Sequence, residues 1–235
     1  MARDSAAGDI EDKPSVAFGS GSPAFIDFGC GRGESMAYAE TLFRGAGIGI
    51  DIEPKRVTEC QDAGFDVQQG DAITFDGRNL APASLSIDLI PELNGLREFE
   101  AVCTNQLRAA RDFTMIQHSC FDSAETLLSR GQVVAGHAAK PIRFRPRAID
   151  YLHFVMQFGR RLDVVGLAVF GLGEPRTTPM NLRGLSGALI RRDQGDPAFR
   201  SIRVVIARKE LSRFQWAMNR VGTGHPLLIL ESPQY

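Results

Sequence analysis

Short hydrophobic runs alternate with helical patterns over the first half of the chain. Five strands are predicted, at residues 24–28, 47–52, 65–69, 85–90 and 112–117. Apolar residues at helical spacing predict three helices between them, over 34–44, 54–63 and 96–111. Strands that alternate with helices favour parallel pairing with both faces of the sheet covered, so the pattern predicts a doubly wound α/β fold.

The alternation stops after Cys120. A short helix over 124–130, a loop over 131–147 and a helix over 148–158 are predicted there. This stretch, about 120–160, has the character of an insertion into the regular pattern.

Two more strands follow the insertion, at 164–170 and 202–207, and bring the predicted sheet to seven strands. The connection between them, about 171–200, is long for a hairpin, which indicates a functional or partly mobile loop. A last helix is predicted over 211–221, and the apolar residues 227–230 suit an edge strand.

The 235 residues suffice for one substantial domain, which we place at 24–235. Residues 1–23 are polar and rich in small residues, so we expect a flexible tail without the apolar core of a signal peptide. The four scattered cysteines form no CxxC pair and predict neither a zinc site nor a disulfide framework. We therefore expect a cytoplasmic protein with no metal and no membrane span.

The net charge of −1 conceals two oppositely charged halves. Residues 1–120 hold 10 Lys or Arg and 19 Asp or Glu, whereas residues 121–235 hold 17 and 9. A basic half is compatible with an anionic partner, but two halves that fold together explain the asymmetry equally well.

The first strand ends in a loop with glycine at every second position, Gly29, Gly31 and Gly33. Glycines let backbone amides approach a ligand closely, as they do in nucleotide-binding loops. Asp27 precedes the loop by two positions, and a carboxylate there would repel a pyrophosphate but attract an amino group.

Carboxylates also follow the next two strands. Asp51 closes the second strand, where it can accept hydrogen bonds from both hydroxyls of a ribose. Asp71 closes the third strand, where it can accept one from an adenine amine. An ammonium group, a ribose and an adenine without phosphate describe S-adenosylmethionine (SAM). An N-cap role for Asp51 and a turn role for Asp71 are the structural alternatives.

These segments, with Ser86 to Ile90, resemble the successive motifs of class I SAM-dependent methyltransferases over about residues 24–207. The resemblance implies a Rossmann-like sheet of seven mostly parallel strands, whose sixth and seventh strands form the antiparallel β6–β7 hairpin of that family. It also implies SAM as cofactor. The residues that it assigns to the cofactor are Asp27, Gly29, Cys30, Gly31, Gly33, Asp51, Ile52, Asp71, Ala72 and Ile90.

Segments downstream resemble the small-molecule enzymes of the MetW and UbiG-like type. The similar segments are residues 117–122, 127–131 and 142–146. Ser119 to Phe121 replaces the Pro-Asn-Phe-like turn of those proteins, and Lys140 stands where they have a histidine.

Methyl transfer requires in-line approach of a nucleophile and a base where the acceptor loses a proton. The candidates are Glu92 and Asn94, after the fourth strand, and His118, after the fifth. His118 has a side chain suited to base catalysis near neutrality, but a structural histidine at a strand end is an equal alternative. The (Asn/Asp)-Pro-Pro-(Tyr/Phe) tetrapeptide of enzymes that methylate DNA bases or glutamine is missing after the fourth strand.

A basic cluster, Lys140, Arg143, Arg145 and Arg147, occupies the region in which the family recognises its acceptor. Guanidinium groups bind carboxylate or phosphate, so Arg143 and Arg145 indicate an anionic acceptor, with a solvated surface run as the alternative. No aromatic-interleaved basic patch is present, and nucleic acid is not favoured as a partner.

The sequence therefore predicts a methyltransferase for a small, anionic molecule, and it leaves a homodimer open. Two alternatives stay open as well. One is a MetW-like accessory protein that keeps the SAM pocket but acts by binding a biosynthetic partner enzyme, and the other is an RNA methyltransferase that uses the basic half.

Overall fold

The structure is a computed structural model that describes residues 22–122, 132–134, 143–173, 177–179, 198–222 and 224–231. The predicted helix over 124–130, the N-terminal tail up to residue 21, Lys140 and most of the 171–200 connection lie outside these residues.

Ten strands and five α-helices make up the described chain. The strands are β1 (Phe25–Phe28), β2 (Ile48–Asp51), β3 (Asp66–Gln69), β4 (Ala81–Ile87), β5 (Ala110–Ser119), β6 (Gln132–Val134), β7 (Val164–Leu172), β8 (Thr177–Pro179), β9 (Ser201–Arg208) and β10 (His225–Glu231). The helices are α1 (Glu34–Phe43), α2 (Pro54–Asp62), α3 (Leu96–Ala109), α4 (Ala148–Phe158) and α5 (Leu211–Val221).

Eight of the strands form one sheet, in the order β10-β7-β9-β5-β4-β1-β2-β3. Strands β1 to β5 pair in parallel, whereas β9 runs antiparallel to both β5 and β7. The doubly wound α/β fold is thus confirmed, together with the antiparallel pairing of the sixth and seventh predicted strands. Strand β10 adds an eighth strand at the edge, where the sequence indicated one.

Helices cover both faces of this sheet because the strands are apolar on both sides. One face packs against α1, α2 and α5, with Met36, Val57 and Phe214 fully or largely buried. The other face packs against α3 and α4, where Phe99 contacts Tyr151 edge to face. No helix in the described part of the chain is both long and apolar enough to cross a membrane.

Strand β4 differs from its prediction. The sequence indicated a strand over 85–90, but β4 begins at Ala81 and ends at Ile87. The start of β4 was not predicted because Pro82 has no amide hydrogen to donate, which is unfavourable within a strand. The register with β5 shifts between Ala81 and Ala83, which accommodates this proline. Residues Ile90–Glu92 instead form a short 3₁₀ helix.

The parallel strands β1 to β4 end at the same edge of the sheet. The polar residues that follow them therefore meet there, and β9, which runs the other way, brings its first residues to this edge. This is the edge at which open α/β sheets bind ligands.

Candidate cofactor and active site

The glycine loop between β1 and α1 adopts backbone conformations that glycine favours. Gly29, Gly31 and Gly33 have φ angles of 71°, 59° and 94°. The amides of Gly29 and Cys30 both donate to the Ile50 carbonyl of β2, at 2.7 and 3.1 Å. The loop is therefore held tightly over the ends of β1 and β2.

Asp51, the last residue of β2, is 3% exposed and fastens this loop. Its Oδ2 accepts a hydrogen bond from the Gly31 amide at 2.9 Å, and its Oδ1 accepts one from the Glu53 amide at 2.9 Å. Arg56 lies 3.9 Å from Oδ2. Each carboxylate oxygen has two lone pairs, so Asp51 retains acceptor capacity for a ligand.

Asp71 stands just beyond β3, in a segment that α3 holds in place. The Asn105 amide donates to the Ala72 and Ile73 carbonyls, at 3.0 and 2.8 Å. Asp71 Oδ1 accepts from the Ile73 amide at 2.8 Å. Its Oδ2 accepts no hydrogen bond from the described residues, which leaves this oxygen for a ligand.

Asp27 lies beneath the loop with no exposed surface. Its Oδ2 accepts a hydrogen bond from Ser35 Oγ, while Oδ1 has no hydrogen-bond partner among the described residues. The pKa of Asp27 is raised to about 7, chiefly because the group is buried. The hydrogen bond from Ser35 lowers this pKa, and the negative charge of Asp51 raises it. A buried carboxyl in this state favours a cationic neighbour.

A cavity of about 820 Å³ opens at this edge of the sheet. Its walls include ten residues predicted from the sequence, namely Gly29, Cys30, Gly31, Asp51, Ile52, Asp71, Ala72, Glu92, Asn94 and Arg143. The volume falls within the range of about 300 to 1,000 Å³ that is typical of small-molecule and cofactor sites.

One wall is built by the residues after β4 and by the segment that precedes α4. The amides of Arg143 and Phe144 donate to the Pro91 carbonyl at 3.1 and 3.3 Å, which joins the two segments. Asn94 donates through its backbone and side chain to Glu98, and its Oδ1 accepts from Arg143. The hydrogen bonds from Asn94 have the largest effect on the pKa of Glu98, which they lower. The positive charge of Arg143 lowers it by a smaller amount.

Five predicted site residues are not part of the cavity wall. Asp27, Gly33 and Ile90 are buried behind it. Gly33 caps the start of α1, and Ile90 belongs to the core under α3. Arg145 is exposed and does not line the cavity, whose walls include Arg143 two residues earlier.

His118 is likewise apart from the cavity. It is 1% exposed, and its ring stacks with the rings of Phe121 and Tyr151. Its Nε2 is hydrogen bonded to the Tyr151 hydroxyl at 2.8 Å, and its Nδ1 to the Ser119 carbonyl at 2.8 Å. Both ring nitrogens are therefore engaged in the protein interior. This geometry is that of the structural alternative rather than of a catalytic base.

We expect His118 to make the protein sensitive to acid. Burial lowers its pKa from 6.5 to about 4, against the hydrogen bond with Ser119, which raises it. Below pH 6.5 the imidazole of His118 binds a proton in the unfolded chain, whereas in the folded chain it does so only near pH 4. The folded state thus loses up to about 3 kcal/mol through this residue as the pH falls across that window.

The matched variant is His118→Gln, which keeps hydrogen-bonding groups but does not titrate. Urea unfolding across this pH window should show the free-energy gap between the two proteins narrowing as the pH falls. A gap that is independent of pH would contradict a neutral, buried His118.

Other residues of the cavity wall were not predicted. Ser35 and Tyr38 lie on α1, and Asp88 and Glu98 flank the wall after β4. Asp88 has a φ of 57° and its amide donates to the Gln117 carbonyl of β5. Asp88 could have been predicted, because it lies at the end of a strand, as Asp51 and Asp71 do. Tyr38 could not, because it lies within a helix and its position carries no comparable pattern.

The order of strands, the glycine loop and the acids at successive strand ends define the fold of class I SAM-dependent methyltransferases. A SAM-dependent methyltransferase from Archaeoglobus fulgidus superposes with a TM-score of 0.55 at 17% identity, over 80% of this chain and 87% of that one. Geranyl diphosphate methyltransferase in complex with SAM gives 0.52 at 17% identity, over 80% and 79%.

Magnesium protoporphyrin IX methyltransferase from Synechocystis PCC 6803 with bound S-adenosylhomocysteine (SAH) gives a TM-score of 0.51 at 14% identity, over 80% and 75%. At these identities the comparisons establish the fold. No protein-family model and no curated protein matches the sequence.

Proposed function

We propose that this protein binds SAM and transfers its methyl group to a small, anionic molecule, in the manner of the MetW and UbiG-like enzymes. One observation carries the proposal: Asp51, Asp71 and the glycine loop, which are far apart in the sequence, line one cavity at the ligand-binding edge of the sheet.

The residues fit SAM in several respects. Asp51 has lone pairs left for two ribose hydroxyls, and Asp71 Oδ2 is available to an adenine amine. A Cβ at Gly29 would lie 2.9 Å from Leu89 Cδ1, so a larger residue there would displace Leu89, which also lines the cavity. The unpartnered Oδ1 of Asp27 beneath the loop favours a cation over a pyrophosphate.

The wall formed by Glu92, Asn94 and Arg143 is the proposed acceptor side. When bound, SAM would supply an electrophilic methyl group on sulfur. Arg143 offers a guanidinium to a carboxylate or phosphate of the acceptor, and Asn94, which Glu98 and Arg143 hold in place, is suited to orienting it. Glu92 also lines this wall, and its carboxylate would receive a proton from an acceptor that has one to lose.

Calorimetry with SAM, SAH, ATP and NAD tests the cofactor, and we expect SAM and SAH alone to bind with micromolar or better affinity. Incubation with SAM and a panel of small carboxylic and phosphorylated acceptors, followed by detection of SAH, tests the reaction. Binding of NAD or ATP in place of SAM would refute the proposal. Tight SAH binding without turnover, with an enzyme that copurifies at equal stoichiometry, would favour the accessory role instead.

A further inference from the structure

Two residues of helix α1 that carry hydroxyl groups, Ser35 and Tyr38, line the cavity. Residues three apart on a helix are neighbours on one face, with Cβ atoms about 5 to 6 Å apart. Inside the protein, the Ser35 hydroxyl is bonded to acceptors and the Tyr38 hydroxyl to a donor. This difference decides whether each hydroxyl can accept a hydrogen bond from a ligand or donate one to it.

Ser35 donates its proton inward. Its Oγ bonds to Asp27 Oδ2 and lies 3.3 Å from the Cys30 carbonyl, and both of these groups are acceptors. Since a hydroxyl has one proton, the Ser35 oxygen retains lone pairs that can accept from a ligand. Ser35 is therefore an acceptor for a ligand, and the carboxyl group of Asp27 behind it favours a positively charged donor.

Tyr38 has the opposite polarity. Its hydroxyl oxygen accepts a hydrogen bond from Arg203 Nη2 at 2.7 Å. No described residue accepts the proton of this hydroxyl, so Tyr38 can donate it to a ligand. A hydroxyl that accepts from a cation is also a stronger donor, because hydrogen bonds in a chain polarise one another.

Arg203 is itself held firmly. It is 6% exposed, and its guanidinium donates to Gln117 Oε1 at 3.1 and 2.8 Å and to the Val221 carbonyl at 2.9 Å. A side chain fixed by bonds to β5 and to the end of α5 keeps the Tyr38 hydroxyl at one place.

The Tyr38 hydroxyl and Asp71 lie at opposite ends of the cavity. Arg203 on β9 pairs with Gln117 on β5, which pairs with Ile87 on β4, so the three form a row across the sheet. Neighbouring strands are about 4.8 Å apart. Asp71 follows β3, two strands beyond β1 on the other side. Tyr38 and Asp71 therefore address opposite ends of an extended ligand.

We propose that α1 recognises the α-amino acid end of SAM, with Ser35 accepting from the ammonium group and Tyr38 donating to the carboxylate. Arg203 is the positioning residue that sets the polarity of Tyr38. An ammonium and a carboxylate on one carbon match an acceptor and a donor one helical turn apart. This inference rests on the proposed function, which supplies the ligand.

The test compares the affinities of SAM, decarboxylated SAM and 5′-methylthioadenosine by calorimetry. The second ligand lacks the carboxylate, and the third lacks the entire amino acid chain together with the positive charge on sulfur. Wild-type protein should prefer SAM over decarboxylated SAM by about tenfold, since a hydrogen bond to a charged group is lost. In Tyr38→Phe this preference should fall towards onefold, while the affinity for 5′-methylthioadenosine stays unchanged.

Ser35→Ala is the matched control on the same helix face. It should weaken decarboxylated SAM, which keeps its ammonium, and leave the preference of SAM over decarboxylated SAM intact. Arg203→Gln, which keeps Tyr38 but removes its cation, should reduce the preference only in part. Circular dichroism and melting curves establish that each variant is folded.

Two results would overturn the inference. One is a wild-type protein that binds SAM and decarboxylated SAM equally, a measurement that needs no variant. The other is a folded Tyr38→Phe protein that retains the full preference. A wild-type protein that binds none of the three ligands would instead refute the proposed function.

Discussion

Asp51→Ala should lower the affinity for SAH by about a hundredfold or more, the largest effect on binding that we expect. The substitution removes the acceptor proposed for the ribose hydroxyls. It also frees the amides of Gly31 and Glu53, which both donate to this carboxylate, so the glycine loop loses one of its attachments to β2. Calorimetric titration with SAH measures the change directly.

Asp62→Ala is the control, because Asp62 is an exposed aspartate at the end of α2 and outside the cavity wall. It should bind SAH as the wild-type protein does. If Asp51→Ala were to bind SAH unchanged while remaining folded, the placement of the ribose at this carboxylate would be wrong.

Gly33→Ala should lower the free energy of unfolding by about 2 to 4 kcal/mol. Gly33 has a φ of 94°, a conformation that costs any residue with a Cβ. A Cβ at this position would also lie 2.7 Å from the Phe65 ring and 3.3 Å from Cys60 Sγ. Because Gly33 caps α1, the strain would move Ser35 and Tyr38, and SAH binding should weaken as well.

Gly64→Ala separates the two costs. Gly64 has a similar φ of 90°, but a Cβ there would meet no atom within 4 Å, so only the conformational cost of about 1 kcal/mol remains. Denaturant unfolding of both variants gives the comparison. Equal destabilisation by the two substitutions would show that the contact with Phe65 is relaxed at no cost.

Local patterns sufficed for most of the fold. The helices at 148–158 and 211–221 have the predicted bounds, because their apolar spacing follows the helical period without interruption. The start of β4 was missed because Pro82 is unfavourable in a strand by itself, and only pairing with β5 through a shifted register makes room for it. That pairing joins residues about 30 positions apart and leaves no trace in the local sequence.

Some residues of the candidate site could likewise be predicted from local sequence, and others could not. Asp51 and Asp71 were predictable because each directly follows a strand, and the ends of parallel strands meet at one edge. Tyr38 and Arg203 were not, because their hydrogen bond joins residues 165 positions apart. The chemistry of His118 was recognised by its residue type, but the sequence does not reveal the burial that removes it from the cavity.

The direction of β9 has a consequence for how the chain tolerates changes in length. Arg203 is the third residue of this strand, and successive residues of a strand face opposite sides of the sheet. Residues added to the connection before Ser201 leave the register of β9 with β5 intact. A single residue inserted between Arg203 and Arg208, whose buried side chain fixes the other end of the strand, would without a compensating bulge turn the Arg203 guanidinium to the other face, away from Tyr38. Added length before Ser201 should therefore leave ligand recognition unchanged, whereas added length just after Arg203 should abolish the contact with Tyr38.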